Sequence, residues 1–115
     1  MKKDLCVYLL HIRDAVECIK RYTEHGEKHF LKDEKTQDAV LYNLAIIGEA
    51  VKKLPKDFRS AHPSIPWKDI AGTRDIIIHE YDSMAIAKIW NVVTRDLPVL
   101  GKAINSILKE LGNIL

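Results

Sequence analysis

The chain contains no uninterrupted apolar run of the roughly 18 residues needed to cross a bilayer, so a membrane span is not expected. The basic start, Lys2 and Lys3, leads into an apolar stretch from Leu5. That stretch is cut at His11 and Arg13, and no small-residue cleavage site follows, so it does not read as a secretory leader. Cysteine is scarce. Cys6 and Cys18 lie on one expected helix, about 18 Å apart along its axis at 1.5 Å per residue, too far to bridge. They read as buried thiols of a reducing compartment, and the expected location is cytoplasmic. The five glycines and four prolines fall mostly at segment boundaries, which excludes a Gly-rich phosphate loop and any low-complexity tract. Nor is there an alternating strand pattern or a repeat. A net charge of +2 does not announce a nucleic-acid binder.

What the chain does have is helical periodicity over 115 residues, enough to build a core without disulfide or metal staples. Leu5, Tyr8/Leu9, Ile12, Ala15/Val16, Ile19 and Tyr22 recur at steps of three and four, which predicts an amphipathic helix ending near Gly26. A charged loop, Lys28 to Lys35, follows. Val40/Leu41, Leu44, Ile47/Gly48, Val51 and Leu54 predict a second helix stopped by Pro55, with Gly48 marking close approach of a neighbouring helix. Phe58 to Pro63 reads as irregular or one short turn. Ser64 or Ile65 is placed near the cap of a third helix, about Trp67 to Glu80, with Pro66 in its first turn. A fourth helix starts after Asp82 or Ser83 and is expected to bury Met84, Ala87, Trp90 and Val93/Thr94. Pro98 kinks it or begins a fifth segment carrying Val99/Leu100, Ile104, Ile107/Leu108 and Leu111. The expected fold is all-α: an up-and-down bundle of four to five helices forming a single domain over residues 1–115.

The most informative stretch is Arg74-Asp-Ile-Ile-Ile-His79-Glu-Tyr81, which puts a permanent cation, a proton-transfer base and a phenol within eight residues. With five arginines and five histidines, chance gives about 0.2 occurrences of Arg-x4-His, and a Tyr two places on lowers that to about 0.01. Arg13, Arg21, Arg59 and Arg95 have Cys18, Gly26, Ser64 and Leu100 five residues on, so only Arg74 completes the pattern. On an ideal helix Arg74 and Tyr81 share a face, whereas His79 is about 140° round from Arg74. The three converge only if the helix ends near His79. Asp75, four residues before His79, is placed to hold the imidazole in one tautomer or to raise its pKa.

These are groups that cleave RNA without a metal. A base takes the 2′-hydroxyl proton, a cation steadies the charge on the phosphoryl oxygens, and an acid protonates the leaving 5′-oxygen. One His79 cannot be both base and acid in a concerted step. Two copies across a two-fold axis can, with two Arg74 guanidinium forks on the phosphate, so the chemistry predicts a homodimer with a shared cleft and no metal or cofactor. Taken singly, an Arg and a His near a helix C-terminus also serve simply to satisfy carbonyls and the helix dipole.

The segment around Arg74 resembles the Arg-x4-His-x-Tyr signature of the HepT group of HEPN-domain ribonucleases, toxins encoded beside a minimal nucleotidyltransferase antitoxin. The resemblance extends to Phe30-Leu-Lys-Asp-Glu-Lys-Thr-Gln-Asp-Ala39, Asn43-Leu-Ala-Ile-Ile-Gly-Glu-Ala50, Ile65-Pro-Trp67 and Asp96-Leu-Pro98, and so covers the chain from about Asp4 to Leu100. It implies a helical homodimer acting as a metal-independent endoribonuclease, with Arg74 and His79 catalytic. It also implies that Tyr81 is the phosphate contact and the tyrosine that the partner nucleotidyltransferase AMPylates. Asp75 fills the polar position after the arginine. Relatives often carry an aromatic-Gly pair after the tyrosine and an Asp slightly later, where this chain has Asp82, Ser83 and Ala85. That departure bears on loop contacts and partner docking. Two other readings remain from the residues: a catalytically silent adaptor that binds the nucleotidyltransferase, and a nucleotide-sensing module holding a phosphate with Arg74.

Other constellations carry less. His25 and His29 have metal-ligand spacing, but Gly26 falls between them and no third ligand is near. Asn43, Glu49 and Lys52 lie near the second helix's apolar stripe, as rim residues or the lining of an interface cleft. Trp67 and Trp90 read as core anchors before base-stacking platforms. Residues 51–74 hold Lys52, Lys53, Lys56, Arg59, Lys68 and Arg74 against Asp57 and Asp69, but widening to 49–82 adds Glu49, Asp75, Glu80 and Asp82 and cancels the excess.

Overall fold

The computed structural model describes residues 2–79 and 83–114, with side chains described over 4–73 and 85–112. Among them every regular element is helical: α1 (Lys2–Tyr22), α2 (Glu27–Lys32), α3 (Glu34–Lys53), α4 (Lys56–Ser60), α5 (Trp67–His79), α6 (Ser83–Asn91), a π-helical segment (Val92–Asp96) and α7 (Leu97–Ile114). Four long arms close a ring. α1 packs on α3 and α7, α3 packs on α5, and α5 packs on the π segment. α2 and α4 are corner pieces. The all-α bundle is therefore as expected.

The apolar stripes seen in the sequence build the centre. Leu9, Ile12 and Ile19 of α1, Val40, Leu44, Ile47 and Val51 of α3, Ile70 of α5, Ile89 of α6 and Leu100 and Ile104 of α7 are fully or almost fully buried. Each contributes about 1.5–3 kcal/mol over an exposed position, which makes one core shared by all the arms. Cys6 and Cys18 are free thiols but only half-buried, which corrects the expectation of full burial. Ala87 and Thr94, expected on the buried face of the fourth helix, are exposed.

Local chemistry explains the corners. α1 ends at Tyr22, and the chain turns at Gly26, whose φ of +91° is open to glycine and strained for other residues. The expected charged loop is mostly α2 and the start of α3, because Phe30 is completely buried against the Trp90 ring at 5.1 Å and pulls the segment onto the bundle. Asp33 then caps α3, accepting from Thr36 N–H at 3.2 Å and from the Thr36 hydroxyl. Those two hydrogen bonds, the side-chain one first, hold its carboxyl below the ordinary value against the opposing effect of burial, with His29 and Lys35 adding smaller lowering contributions.

The chain around Pro98 is not broken into separate helices. Leu97 N–H donates to the Val92 carbonyl, five residues back, so the helix widens to π where Pro98 has no N–H to return to Thr94 and its ring would crowd that carbonyl. α6 and α7 thus run on through the widened turn. Close helix approach also sits elsewhere than expected. A methyl on Gly48 would meet no described atom within 4 Å, whereas one on Gly101 would lie 3.1 Å from Val16 Cγ1. Gly101, not Gly48, is where two helices meet tightly.

Candidate functional site

α5 carries the Arg74–His79 pair, and its start is held firmly. Ile65 is buried, the Pro66 carbonyl accepts from Ile70 N–H at 3.1 Å, and α5 begins at Trp67. Pro66 therefore occupies the cap and not the first turn, with no capping role for Ser64. The Trp67 indole N–H donates to the Arg59 and His62 carbonyls at 3.1 and 3.0 Å. Its ring lies 6.2 Å from Phe58, which in turn lies 4.6 Å from the His62 ring. One side chain thus ties α4 and the following loop to the first turn of α5. Both tryptophans pack against the core, as anchors should.

One residue before Arg74, Thr73 is buried and satisfies its hydroxyl on the Ile70 carbonyl, a back-bond that lets a polar group sit inside the bundle. α5 is helical through His79, which places Arg74, Asp75 and His79 in its C-terminal half. Arg74 and His79 are then about 7.5 Å apart along the axis, with Asp75 one turn before His79. The side chains of Arg74, Asp75, His79 and Ser83, and Tyr81 and Asp82 altogether, lie outside the described residues.

A feature that sequence reading left without a role faces α5 from the π segment. The Asp96 carboxyl is pushed above its ordinary value, first by burial and then by the charge of Asp69, with Arg95 opposing. Asp69, in the first turns of α5, and Asp96 are therefore neighbours across the contact between the two elements. The sequence offered one signal, the Asp96-Leu-Pro98 triplet, but nothing that paired it with Asp69.

No group of three His, Cys, Asp or Glu among the described residues can hold a metal ion. His25 and His29 stack edge to face at 5.3 Å, and His29 Nε2 contacts Thr36 Oγ1 at 3.2 Å and Asp33 at 3.5 Å, so the pair belongs to the α2–α3 corner. Asn43 is buried and donates to the Ala39 carbonyl at 2.9 Å. It and Glu49 line shallow hollows between α1 and α3, while Lys52 is exposed. A larger groove of about 340 Å³ runs between α1 and α7 and has no α5 residue in its lining. No helix among the described residues is long and apolar enough to cross a membrane.

Comparison with known proteins decides the family. Residues 12–107 match the model of the ribonuclease HepT-like family, nearly the whole bundle and all of α5. The chain belongs to the HepT-like family. It is 44% identical over 101 residues to the probable ribonuclease HepT of Thermococcus cleftensis, covering 87% of this chain and 92% of that protein. A Caldanaerobacter subterraneus subsp. tengcongensis protein whose name assigns it to the RNases is 42% identical over 104 residues, 90% of this chain and 93% of its own. A Methanocaldococcus jannaschii protein, named jointly as a gamma-glutamylcyclotransferase and an assigned RNase, is 42% identical over 112 residues. The HepT-like chain spans half the length of that protein and 96% of its own length aligns there. No solved structure matches it.

Proposed function

We propose that this HepT-like chain is the toxin of a toxin–antitoxin pair, a single-domain cytoplasmic endoribonuclease that works as a homodimer without a metal. The reading is carried by Arg74, Asp75 and His79 falling on one helix, α5, of a chain that matches the HepT-like family across that helix. In the first step one His79 takes the 2′-hydroxyl proton as O2′ attacks phosphorus. The Arg74 guanidinium groups bind the phosphoryl oxygens as their charge grows, and the second copy's His79, protonated, donates to the departing 5′-oxygen. The products are a 2′,3′-cyclic phosphate and a 5′-hydroxyl. Asp75 orients the imidazole. Tyr81 contacts phosphate and is the residue that a nucleotidyltransferase antitoxin AMPylates, filling the cleft with bulk and negative charge.

The test uses purified protein and total RNA in EDTA, beside His79→Ala and Arg74→Ala. Wild type cuts and the variants do not; equal cutting by all three preparations assigns the activity to a contaminant and defeats the reading. Mixed dimers of wild-type and His79→Ala chains, isolated through two tags, should fall far below half of wild-type activity. Half activity would mean that each copy works alone. A mass gain on Tyr81 after ATP and the nucleotidyltransferase checks the neutralisation step, and an unchanged mass removes it.

A further inference from the structure

The chain's basic segment lost its significance in the sequence because acidic residues on either side cancelled it, but folding gathers its cations from three helices at one place. α3 ends, α4 turns and α5 begins at one end of the bundle, so Lys52, Lys56, Arg59 and Lys68 share that end. The Trp67 indole, bonded to the Arg59 and His62 carbonyls, fixes α4 and its loop against the start of α5. Asp75 lies about 10 Å further along the α5 axis from Lys68. Asp69 follows Lys68 in the first turn of α5, and its charge also reaches Asp96 on the π segment. Glu49 on α3, Asp57 in the first turn of α4 and Asp69 in that of α5 stay near the four cations and Lys53, which leaves this end with more positive charge than negative.

Those cations are free to bind something. The three lysines are exposed, and none of the four makes an ion pair with a described residue. Arg59 is the informative one. Its Nε is the buried side-chain polar atom that has no hydrogen-bond partner among the described residues. Its two Nη nitrogens are not among the buried unpartnered atoms, and their fork can meet two phosphate oxygens while lysines serve as point charges around it. Lys68 is about 9 Å along the α5 axis from Arg74, so the same helix runs from this end toward the Arg74–His79 segment.

We infer that the α3–α4–α5 end of the bundle binds the phosphate backbone of RNA, with Arg59 gripping one phosphate and Lys52, Lys56 and Lys68 neutralising its neighbours. The inference rests on the ribonuclease reading for its ligand. Arg59 holds the strand and does not touch the bond that breaks, so it acts on binding and leaves turnover alone.

The experiment measures binding of a fluorescently labelled single-stranded RNA to the full chain in EDTA by anisotropy, from 50 to 300 mM salt. Arg59→Ala should weaken binding at least five-fold and lower the slope of log affinity against log salt by about one; Lys56→Ala with Lys68→Ala should lower it by about two. Arg59→Lys should restore the slope but not the full affinity, because the fork is lost. Lys28→Ala with Lys32→Ala, on α2 at the opposite corner, should change neither. In cleavage assays Arg59→Ala should raise KM and leave kcat, while His79→Ala abolishes kcat and leaves the anisotropy curve alone. An unaltered thermal melt for Arg59→Ala shows that the fold is intact, as expected of a residue whose Nε has no partner. Wild-type affinity and slope in Arg59→Ala overturn the inference even if the enzyme cuts. RNA binding with the stated dependence but no cleavage defeats the ribonuclease reading and supports this site. Arg59-dependent binding of polyglutamate, with Arg59-independent binding of RNA, would make the end a protein-docking surface and overturn it too.

Discussion

Replacing Trp67 with Phe removes one donor and part of one ring, and the structure sets the size of the effect. The indole N–H serves two carbonyls, Arg59 at 3.1 Å and His62 at 3.0 Å. Neither carbonyl is orphaned by its loss, since Arg59 O also accepts from His62 N–H at 3.1 Å and His62 O from Ile65 N–H at 3.2 Å. The hydrogen-bond loss is therefore the net value of about 1 kcal/mol rather than the larger cost of a buried unsatisfied group. Trimming the ring that packs against Phe58 and the core adds about 1–2 kcal/mol. Together these give about 2–3 kcal/mol, or a drop in Tm of roughly 8–12 °C for a chain of this size. Far-UV circular dichroism melts measure it, and limited proteolysis should open the chain between α4 and α5 first. A drop below about 2 °C, or first cleavage elsewhere, would show that the indole does not hold α5 to α4. RNA affinity should fall with it, since Arg59 and Lys68 are positioned on the two sides of that tie.

Other outcomes follow from single contacts. Burial and Asp69 raise the Asp96 pKa in the folded state, so the stability tied to its proton is fully present below the ordinary 3.8 and lost as pH rises through the folded value. Asp96→Asn should accordingly raise Tm more at pH 7 than at pH 4, and a constant difference would refute the cause given. Asp33 runs the other way: its lowered pKa supplies stability above the ordinary 3.8 that disappears as pH falls through the folded value. Asp33→Ala should lower Tm at pH 7, with the gap to wild type narrowing in acid melts. Gly101→Ala should cost at least about 1 kcal/mol more in the wild type than in a Val16→Ala background, where Cγ1 no longer stands 3.1 Å away; additivity in urea melts would deny the close approach.

Much of the bundle was legible because its helices are amphipathic and their period is local. α3 and α5 were placed to within a few residues from apolar spacing, Pro55 and Trp67 alone, apart from the early start that Asp33 gives α3. α2 was missed because a six-residue helix shows less than two turns of period, and what orders it, Phe30 on Trp90, spans sixty residues of sequence. In the site, the Arg74-x4-His79 spacing was readable since it lies on one element. Thr73, Arg59 and the Asp69–Asp96 neighbours were not, because their significance depends on what other elements bring to them.

The sequence by itself determined the helical class, the core-facing stripes and the helix that carries Arg74, Asp75 and His79, since 3.6-residue periodicity and cap chemistry are properties of neighbouring positions. Only the tertiary structure decided that the turn before Pro98 widens to π and carries α6 on into α7, with the Leu97 N–H reaching back five residues to the Val92 carbonyl. It alone decided that Gly101 and not Gly48 meets another helix closely. And it alone gathered Lys52, Lys56, Arg59 and Lys68 at one end of the bundle, because Coulomb interactions follow distance in space, not separation along the chain.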